Sequence, residues 1–394
     1  MAFPLVALFF MISARWCLEV AHAGRQVFDV MDFGAIADGE TDDSKAFIRA
    51  WMKACASPGR PAVVVPKGEY RLQPRGHEWI NFASIGGLLV TGGGTFDGRG
   101  ASSWHLNQCP TNPNCKPLPV VSRANFSLSH SKLSCWADIS IKLGRVRNVT
   151  ITGVTSLDSK FFHVIIIGSQ DVSIHGVTIR APRDSPNTDG VHIQGSSNVR
   201  ITDTAIATGD DCISVGPGSA DITVSGVSCG PGHGISVGSL GRHPGEEDVR
   251  GLRVSNCTLA GTANGVRIKT WRGGLRPGSV VSGLVFEDIV MRKVRNPIII
   301  DQEYCPYSSS SCRHESAQRP SVVKISDVKF KNIRGVSATQ VAVKLSCSGA
   351  SPCHGLELRD IDLTYVKRGV ATESRCENVA GGIAGGMLVP PSCI

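Results

Sequence analysis

Aromatic residues are scarce, at 6% of the 394-residue chain, and no block of Lys or Arg stands beside them. Nucleic-acid surfaces interleave stacking rings with basic clusters, so that class of partner is excluded. None of the fourteen cysteines forms a Cys-x-x-Cys pair, so the close-set thiolates of a structural zinc site are missing. After Ile12 no apolar run approaches the length of a membrane-spanning helix. The spacing of the strand-like runs also supplies no hairpin turns, which a β-sandwich requires.

The N-terminus carries one apolar run, Ala2–Ile12, of signal-peptide length, followed by an Ala21-His22-Ala23 cleavage pattern. Residues 1–23 read as a signal peptide with Gly24 as the mature start, although the run has no Lys or Arg before it. A secreted, extracellular protein is therefore expected, soluble and off the membrane. The cysteine count suits an oxidising compartment. Local pairing suggests Cys109–Cys115, Cys212–Cys229, Cys305–Cys312, Cys347–Cys353 and Cys376–Cys393 as disulfides. Cys55, Cys135 and Cys257 are left over once Cys17 is removed. Asn125, Asn148 and Asn256 stand in glycosylation sequons, a motif short enough to arise by chance. The net charge of +8 survives removal of the signal, because Arg15 and Glu19 cancel. A basic secreted chain favours an anionic partner, and with nucleic acid set aside an acidic polysaccharide fits best.

Residues 27–56 begin with a strand, Val27–Val30, and a turn-rich loop to Asp43. A helix follows, capped by Thr41, Asp42 or Asp43, with Ala46, Phe47, Ala50, Trp51 and Ala54 on one face. One amphipathic helix ahead of a repeat array suits the cap of a solenoid. Asp38, Asp42 and Asp43 read as turn and capping residues rather than a metal loop.

Repeats dominate the rest. An apolar-x-apolar-x-(Gly/Asp/Asn)-apolar template recurs at Val149–Val154, Val172–Val177, Val199–Thr204, Ile222–Val227, Leu252–Cys257, Leu284–Ile289, Val323–Val328 and Leu356–Ile361. Its fifth place is Gly153, Gly176, Asp203, Gly226, Asn256, Asp288, Asp327 and Asp360, residue types that tolerate a left-handed backbone at a bend. Alternation sends the apolar positions inward. A parallel β-helix follows, all-β and forming one domain over 24–394, with the N-terminal helix at its end.

A second repeat bears chemistry. Thr188–Ile193, Asp210–Val215, Gly232–Val237 and Ala263–Ile268 each open on a bend and run into an alternating strand. Aligned on Val191, Ile213, Ile235 and Val266, they are 22, 22 and 31 residues apart. Asp189, Asp211 and His233 then share one bend on successive coils about 4.8 Å apart. Asp210 sits beside them, and Arg267 and Lys269 follow one coil on. Val164–Ile167 precedes this series and Ile298–Asp301 extends it, which lets Tyr304 reach the same groove. Any one of these motifs alone is turn chemistry or a solvated strand face. Together they supply an acid, a base and cations for an acidic sugar chain, as glycoside hydrolysis requires. A calcium site built from Asp189, Asp210 and Asp211 is the rival, implying β-elimination. A β-helix that binds its polymer without cleaving it is the third reading.

Asn187-Thr-Asp-Gly190, Gly209-Asp-Asp-Cys212, Gly232-His-Gly234 and Arg267-Ile-Lys269, in that order, resemble the polygalacturonases of glycoside hydrolase family 28, most closely the secreted plant type. The resemblance runs from about Val27 to Cys393. It implies a right-handed parallel β-helix and inverting hydrolysis of α-1,4-galacturonosyl bonds in homogalacturonan or pectin of the cell wall, by a monomer with no cofactor and no metal. By resemblance Asp210 is the general acid, Asp189 and Asp211 activate water, and His233 supports the proton balance. Arg267, Lys269, Asn187 and Tyr304 bind substrate. The departure is an insertion of about twenty residues over 120–139, bringing Cys135 and the Asn125 sequon, which reads as an atypical splice product or gene-model artefact.

Overall fold

A computed structural model describes residues 26–73, 78–105, 139–273, 278–306 and 319–394. The signal-like segment, nearly all of the 120–139 insertion, and Cys17, Cys109, Cys115, Cys135 and Cys312 lie outside them. The chain divides into two compact units, Met1–Arg75 and Gly76–Ile394. Among the described residues no helix is long and apolar enough to cross a membrane.

The first unit holds the expected helix, α1 (Ser44–Cys55), and two short parallel strand pairs. Ala46, Ala50 and Ala54 are its buried stripe, and Ala46 and Ala50 pack with Val30 and Ala35, with Phe47 and Tyr70 alongside. The acidic residues before it do the turn work expected of them. Asp38 accepts from the Glu40 and Thr41 backbone N–H groups, and Asp42 accepts from Ser44 N. Asp43 reaches back to Ile36 N at 2.7 Å, so it closes the preceding loop and makes no side-chain cap.

The second unit is a right-handed parallel β-helix. Among the described residues every strand pair in it is parallel and joins one coil to the next, as strands β1 (Glu78–Ala83), β2 (Ile139–Gly144), β3 (Val164–Ile167), β4 (Val191–Gln194) and β5 (Ile213–Val215) show. The same sheet continues through β6 (Ile235–Leu240), β7 (Asn264–Trp271), β8 (Asn296–Tyr304), β9 (Val341–Ser346) and β10 (Glu373–Glu377). Parallel crossovers of this kind are right-handed by the twist of their strands. The aligned apolar positions Val164, Val191, Ile213, Ile235, Val266 and Ile298 are register partners, as their spacing predicted. All six are buried, stacked in a single core that runs the length of the unit.

Among the described residues a second sheet of fifteen strands runs alongside it. In the first coils it is two short strands per turn; from Val249–Ala260 onward they fuse into one long strand, which pairs with both predecessors. Seven of the eight predicted bends hold their place: Gly153, Gly176, Asp203, Gly226, Asn256, Asp288 and Asp360 have φ between +48° and +67°. The exception is the copy at Val323–Val328. Leu284 pairs with Val328, not Val323, so that copy runs Val328–Ile333 and its bend is Asn332, at φ +46°. Asp327 is left-handed too, at φ +50°, because it belongs to a second ladder of bends. By register that ladder includes Asn148, Asp171, Asn198, Asp221, Gly251 and Gly283, all at positive φ. With acceptable residues at both ladders, spacing alone allowed the slip.

Cys212–Cys229, Cys347–Cys353 and Cys376–Cys393 are bonded as expected, Cys305 is disulfide-bonded, and Cys55 and Cys257 are free. The sequon residues Asn148 and Asn256 are exposed bend residues.

Candidate active site

Asp189, Asp210, Asp211 and His233 lie on the turns that lead into β4, β5 and β6. Backbone bonds fix these turns on one another. Gly190 N donates to Asp211 O at 2.9 Å, and His233 N donates to Asp210 O at 2.7 Å. Gly190 has no room for a side chain, since a Cβ there would lie 2.5 Å from Cys212 O. The Cys212–Cys229 disulfide ties the residue after Asp211 to the opposite sheet.

Each carboxylate has a different environment. Asp211 is 1% exposed. Its Oδ1 accepts from Arg267 Nη2 at 2.8 Å and Ser236 Oγ at 2.8 Å, and its Oδ2 from Lys269 Nζ at 2.7 Å. Burial pushes its pKa up, but the Lys269 and Arg267 charges outweigh that and hold the carboxyl well below the usual range. Asp189 is also buried, and its Oδ2 accepts from Ser214 Oγ at 2.6 Å. Here burial, reinforced by the Asp210 and Asp211 charges, raises the pKa well above the ordinary value against the pull of Lys269. Asp210 is the outward-facing acid of the three. Its Oδ1 accepts from Asp211 N and meets His233 Nδ1, both at 2.8 Å. Its Oδ2 has a longer contact, 3.4 Å, to Asn187 Nδ2.

His233 is raised, first by its bond to Asp210, with burial opposing. Tyr304 is brought to the site as expected: Lys269 Nζ lies 5.3 Å and the Arg267 guanidinium 5.9 Å from its ring centroid. Trp271 packs edge-on against that ring at 5.3 Å. Burial lifts the Tyr304 phenol above its ordinary value.

One expectation changes in kind. The sequence presents Arg267 and Lys269 as cations for the substrate, yet both spend hydrogen bonds on Asp211, and their side chains are 11% and 9% exposed. Alternation on β7 does put them on one face. The same geometry brings them over Asp211, two coils back, and a buried carboxylate is a stronger partner than water.

Sequence reasoning missed Ser214, Ser236 and His192. The available signal was positional: His192, Ser214, Ser236 and Arg267 are successive register partners on the outward face of the sheet. Donor atoms of Asp210, Asp211 and His233 also lie within 4.8 Å of one another, a set that could hold a cation. Both Asp211 oxygens already face cationic side chains, however, so a divalent ion would have to displace Lys269 or Arg267 from that carboxylate.

The raised pKa of Asp189 has a consequence for stability. A carboxyl that binds its proton more tightly folded than unfolded stabilises the fold fully below the unfolded pKa. That contribution is lost as pH rises toward the folded value. At neutral pH, Asp189→Asn is therefore expected to stabilise the fold, on the order of 1 kcal/mol, while keeping an acceptor for Ser214. Urea midpoints at pH 7 and pH 3.5 test this: the gain should be present at pH 7 and shrink at pH 3.5. An unchanged or lower midpoint at pH 7 would contradict it.

Residues 126–387 match the model of glycosyl hydrolases family 28. An exopolygalacturonase of Platanus acerifolia is 39% identical over 396 residues, covering 93% of this chain and 98% of its own. One of Oenothera organensis is 42% identical, covering 89% and 98%. An exopolygalacturonase structure from Thermotoga maritima superposes with a TM-score of 0.71 at 18% identity, covering 92% and 93%, which speaks to the fold. Family match and relatives agree: the chain belongs to glycosyl hydrolases family 28, among its polygalacturonases.

Proposed function

We propose that this chain hydrolyses α-1,4-galacturonosyl bonds of polygalacturonate by an inverting acid–base mechanism. The observation that carries the reading is the division of labour among three adjacent carboxylates. Asp211, held by two cations, stays ionised. Asp189 can take a proton, and Asp210 faces outward with Oδ2 turned away from its two strong donors. Asp210 delivers its proton from Oδ2 to the departing glycosidic oxygen. Asp189 and Asp211 orient a water on the other side of the sugar and draw its proton as the C–O bond forms. His233, bonded to Asp210 Oδ1, keeps that carboxyl supplied with a proton between turnovers.

Arg267 and Lys269 then have two duties. Their bonds keep Asp211 anionic, and their positive field, beside the Tyr304 ring, draws a galacturonate carboxylate toward the groove. Asn187 positions the sugar near Asp210. The same reading makes residues 1–23 a removable signal, the partner pectin outside the cell, and the working form a monomer. The 120–139 segment is an atypical splice product or gene-model artefact, a reading that fails if a peptide map of the native protein recovers it.

The test is release of reducing ends from polygalacturonate by purified protein in EDTA. Hydrolysis persists in EDTA with no ultraviolet-absorbing unsaturated product. Activity abolished by EDTA, together with such a product, establishes calcium-dependent β-elimination instead. A folded, inactive protein sinks the enzyme reading and leaves the polymer-binding one.

The pH profile follows from the same groups. Falling pH protonates Asp189 first, because Asp211 is depressed, so Asp189 sets the acid limb. Rising pH removes the His233 proton at a value above its ordinary 6.5, setting the alkaline limb. A bell-shaped kcat/KM is expected, and His233→Gln should displace its alkaline limb only. A shift of the acid limb in that variant would contradict the assignment.

A further inference from the structure

Three hydrogen bonds lead away from Asp189 into groups with no part in the hydrolysis as described. Ser214 Oγ donates to Asp189 Oδ2 at 2.6 Å, and the same oxygen lies 2.8 Å from His192 Nδ1. His192 Nε2 is 3.5 Å from Gln194 Oε1. Asp189, Ser214 and His192 are all buried. The imidazole is clamped: Phe162 stacks on it at 5.0 Å, with 27° between the planes. On another side, a Cβ at Gly216 would lie only 3.4 Å from its Cε1.

A serine hydroxyl has one proton to give. If Ser214 gives it to an ionised Asp189, its oxygen can only accept from His192, which must then carry its proton on Nδ1 and leave Nε2 bare, so the Gln194 amide turns its N–H toward that nitrogen. If Asp189 is protonated and donates to Ser214, the hydroxyl turns to His192, whose Nδ1 must be bare and whose Nε2 is protonated toward Gln194. No covalent bond changes in either case; the two patterns differ by one proton on Asp189 and by the imidazole tautomer. His192 stays neutral in both, since burial depresses its pKa to about 4.

We infer that His192, acting through Ser214, is a positioning residue that fixes the orientation and the ionisation of Asp189. This rests on the reading of Asp189 as a base. The other charged groups near Asp189 are Asp210, Asp211 and Lys269; near His192 they are Lys269 and Asp211. All of these belong to the site already described, so the neutral Ser214–His192 pair acts on Asp189 without adding charge, and it favours the anion when Nδ1 carries the imidazole proton.

The test compares His192→Phe, which keeps the ring and its stacking, with His192→Asn, whose amide N–H can stand where Nδ1–H stood. His192→Phe should move the acid limb of kcat/KM up by about one pH unit. That is about a tenfold loss on the acid side, with the alkaline limb unmoved. His192→Asn should keep the parent's limb. Equal losses at every pH in both variants, or no shift in His192→Phe, would overturn the inference. Ser214→Ala should give the same shift, and it decides the matter if His192→Phe does not fold. Urea stability against pH, measured beside Asp189→Asn in each background, reads Asp189 ionisation without using activity. With His192→Phe the destabilisation by Asp189 should continue to a higher pH, and an unchanged window overturns the inference. A parent inactive on polygalacturonate would instead sink the catalytic reading and leave the urea result to judge this one.

Discussion

Asp210→Asn should lower kcat on polygalacturonate by about 10²–10⁴-fold with the fold intact. That range is what positioned general acid catalysis typically contributes. The amide keeps an oxygen to accept from Asp211 N and a similar shape beside Asn187, but it has no acidic proton for the leaving oxygen. Asp210 faces the groove and is not clamped by a cation from β7. Its loss should therefore cost little stability, with the urea midpoint close to the parent's. KM should change far less than kcat, because the lost interaction is made in the transition state. Retention of more than about a tenth of the parent rate would remove Asp210 from the acid role.

Asp211→Asn gives the opposite pairing of effects. Removing one partner from a buried, hydrogen-bonded ion cluster costs about 3–5 kcal/mol, because the remaining charges are left uncompensated. Here the remainder is two cations, Arg267 and Lys269, side by side on β7 with 11% and 9% exposure. Activity should vanish with the anion, but the diagnostic measurement is urea unfolding. The sign of its pH dependence is fixed. The folded pKa of Asp211 lies below the unfolded one, so its stabilisation is present above the unfolded value, about 3.9. It is lost as pH falls from there toward the folded value. Parent and variant should thus differ most at pH 6–7 and converge below about pH 4. A gap under about 1 kcal/mol at pH 7 would show that desolvation cancels the attraction in this cluster. The two neighbouring aspartates are therefore separable by experiment: one change removes chemistry, the other removes chemistry and stability together.

A third contrast comes from Asp189→Asn, expected to raise stability. Stored electrostatic strain at Asp189 and relief of strain at Asp211 arise one coil apart from the same burial. The difference is the partner: a serine hydroxyl faces Asp189, and two cations face Asp211.

The amino-acid sequence by itself determined the coil. Val191, Ile213, Ile235 and Val266 were legible as register partners because a strand's alternation and a bend's tolerance for Gly, Asp or Asn are local properties, printed once per turn. It also put Asp189, Asp210, Asp211 and His233 on one edge, since stacking in register converts sequence spacing into distance. Where two positions per coil accept the same residue types, local chemistry could not choose, and the Val323–Val328 copy slipped to what proved to be Val328–Ile333. Tertiary structure alone decided which partner each charge takes. Arg267 and Lys269 reach Asp211 across stacked coils, and their direction depends on burial and on the carboxylate beneath them, neither of which a strand pattern encodes. The line from Asp189 through Ser214 to His192 was hidden for the same reason. A serine and a histidine on an alternating strand look solvated until the neighbouring coil is laid beside them and Phe162 and Gly216 close over the ring.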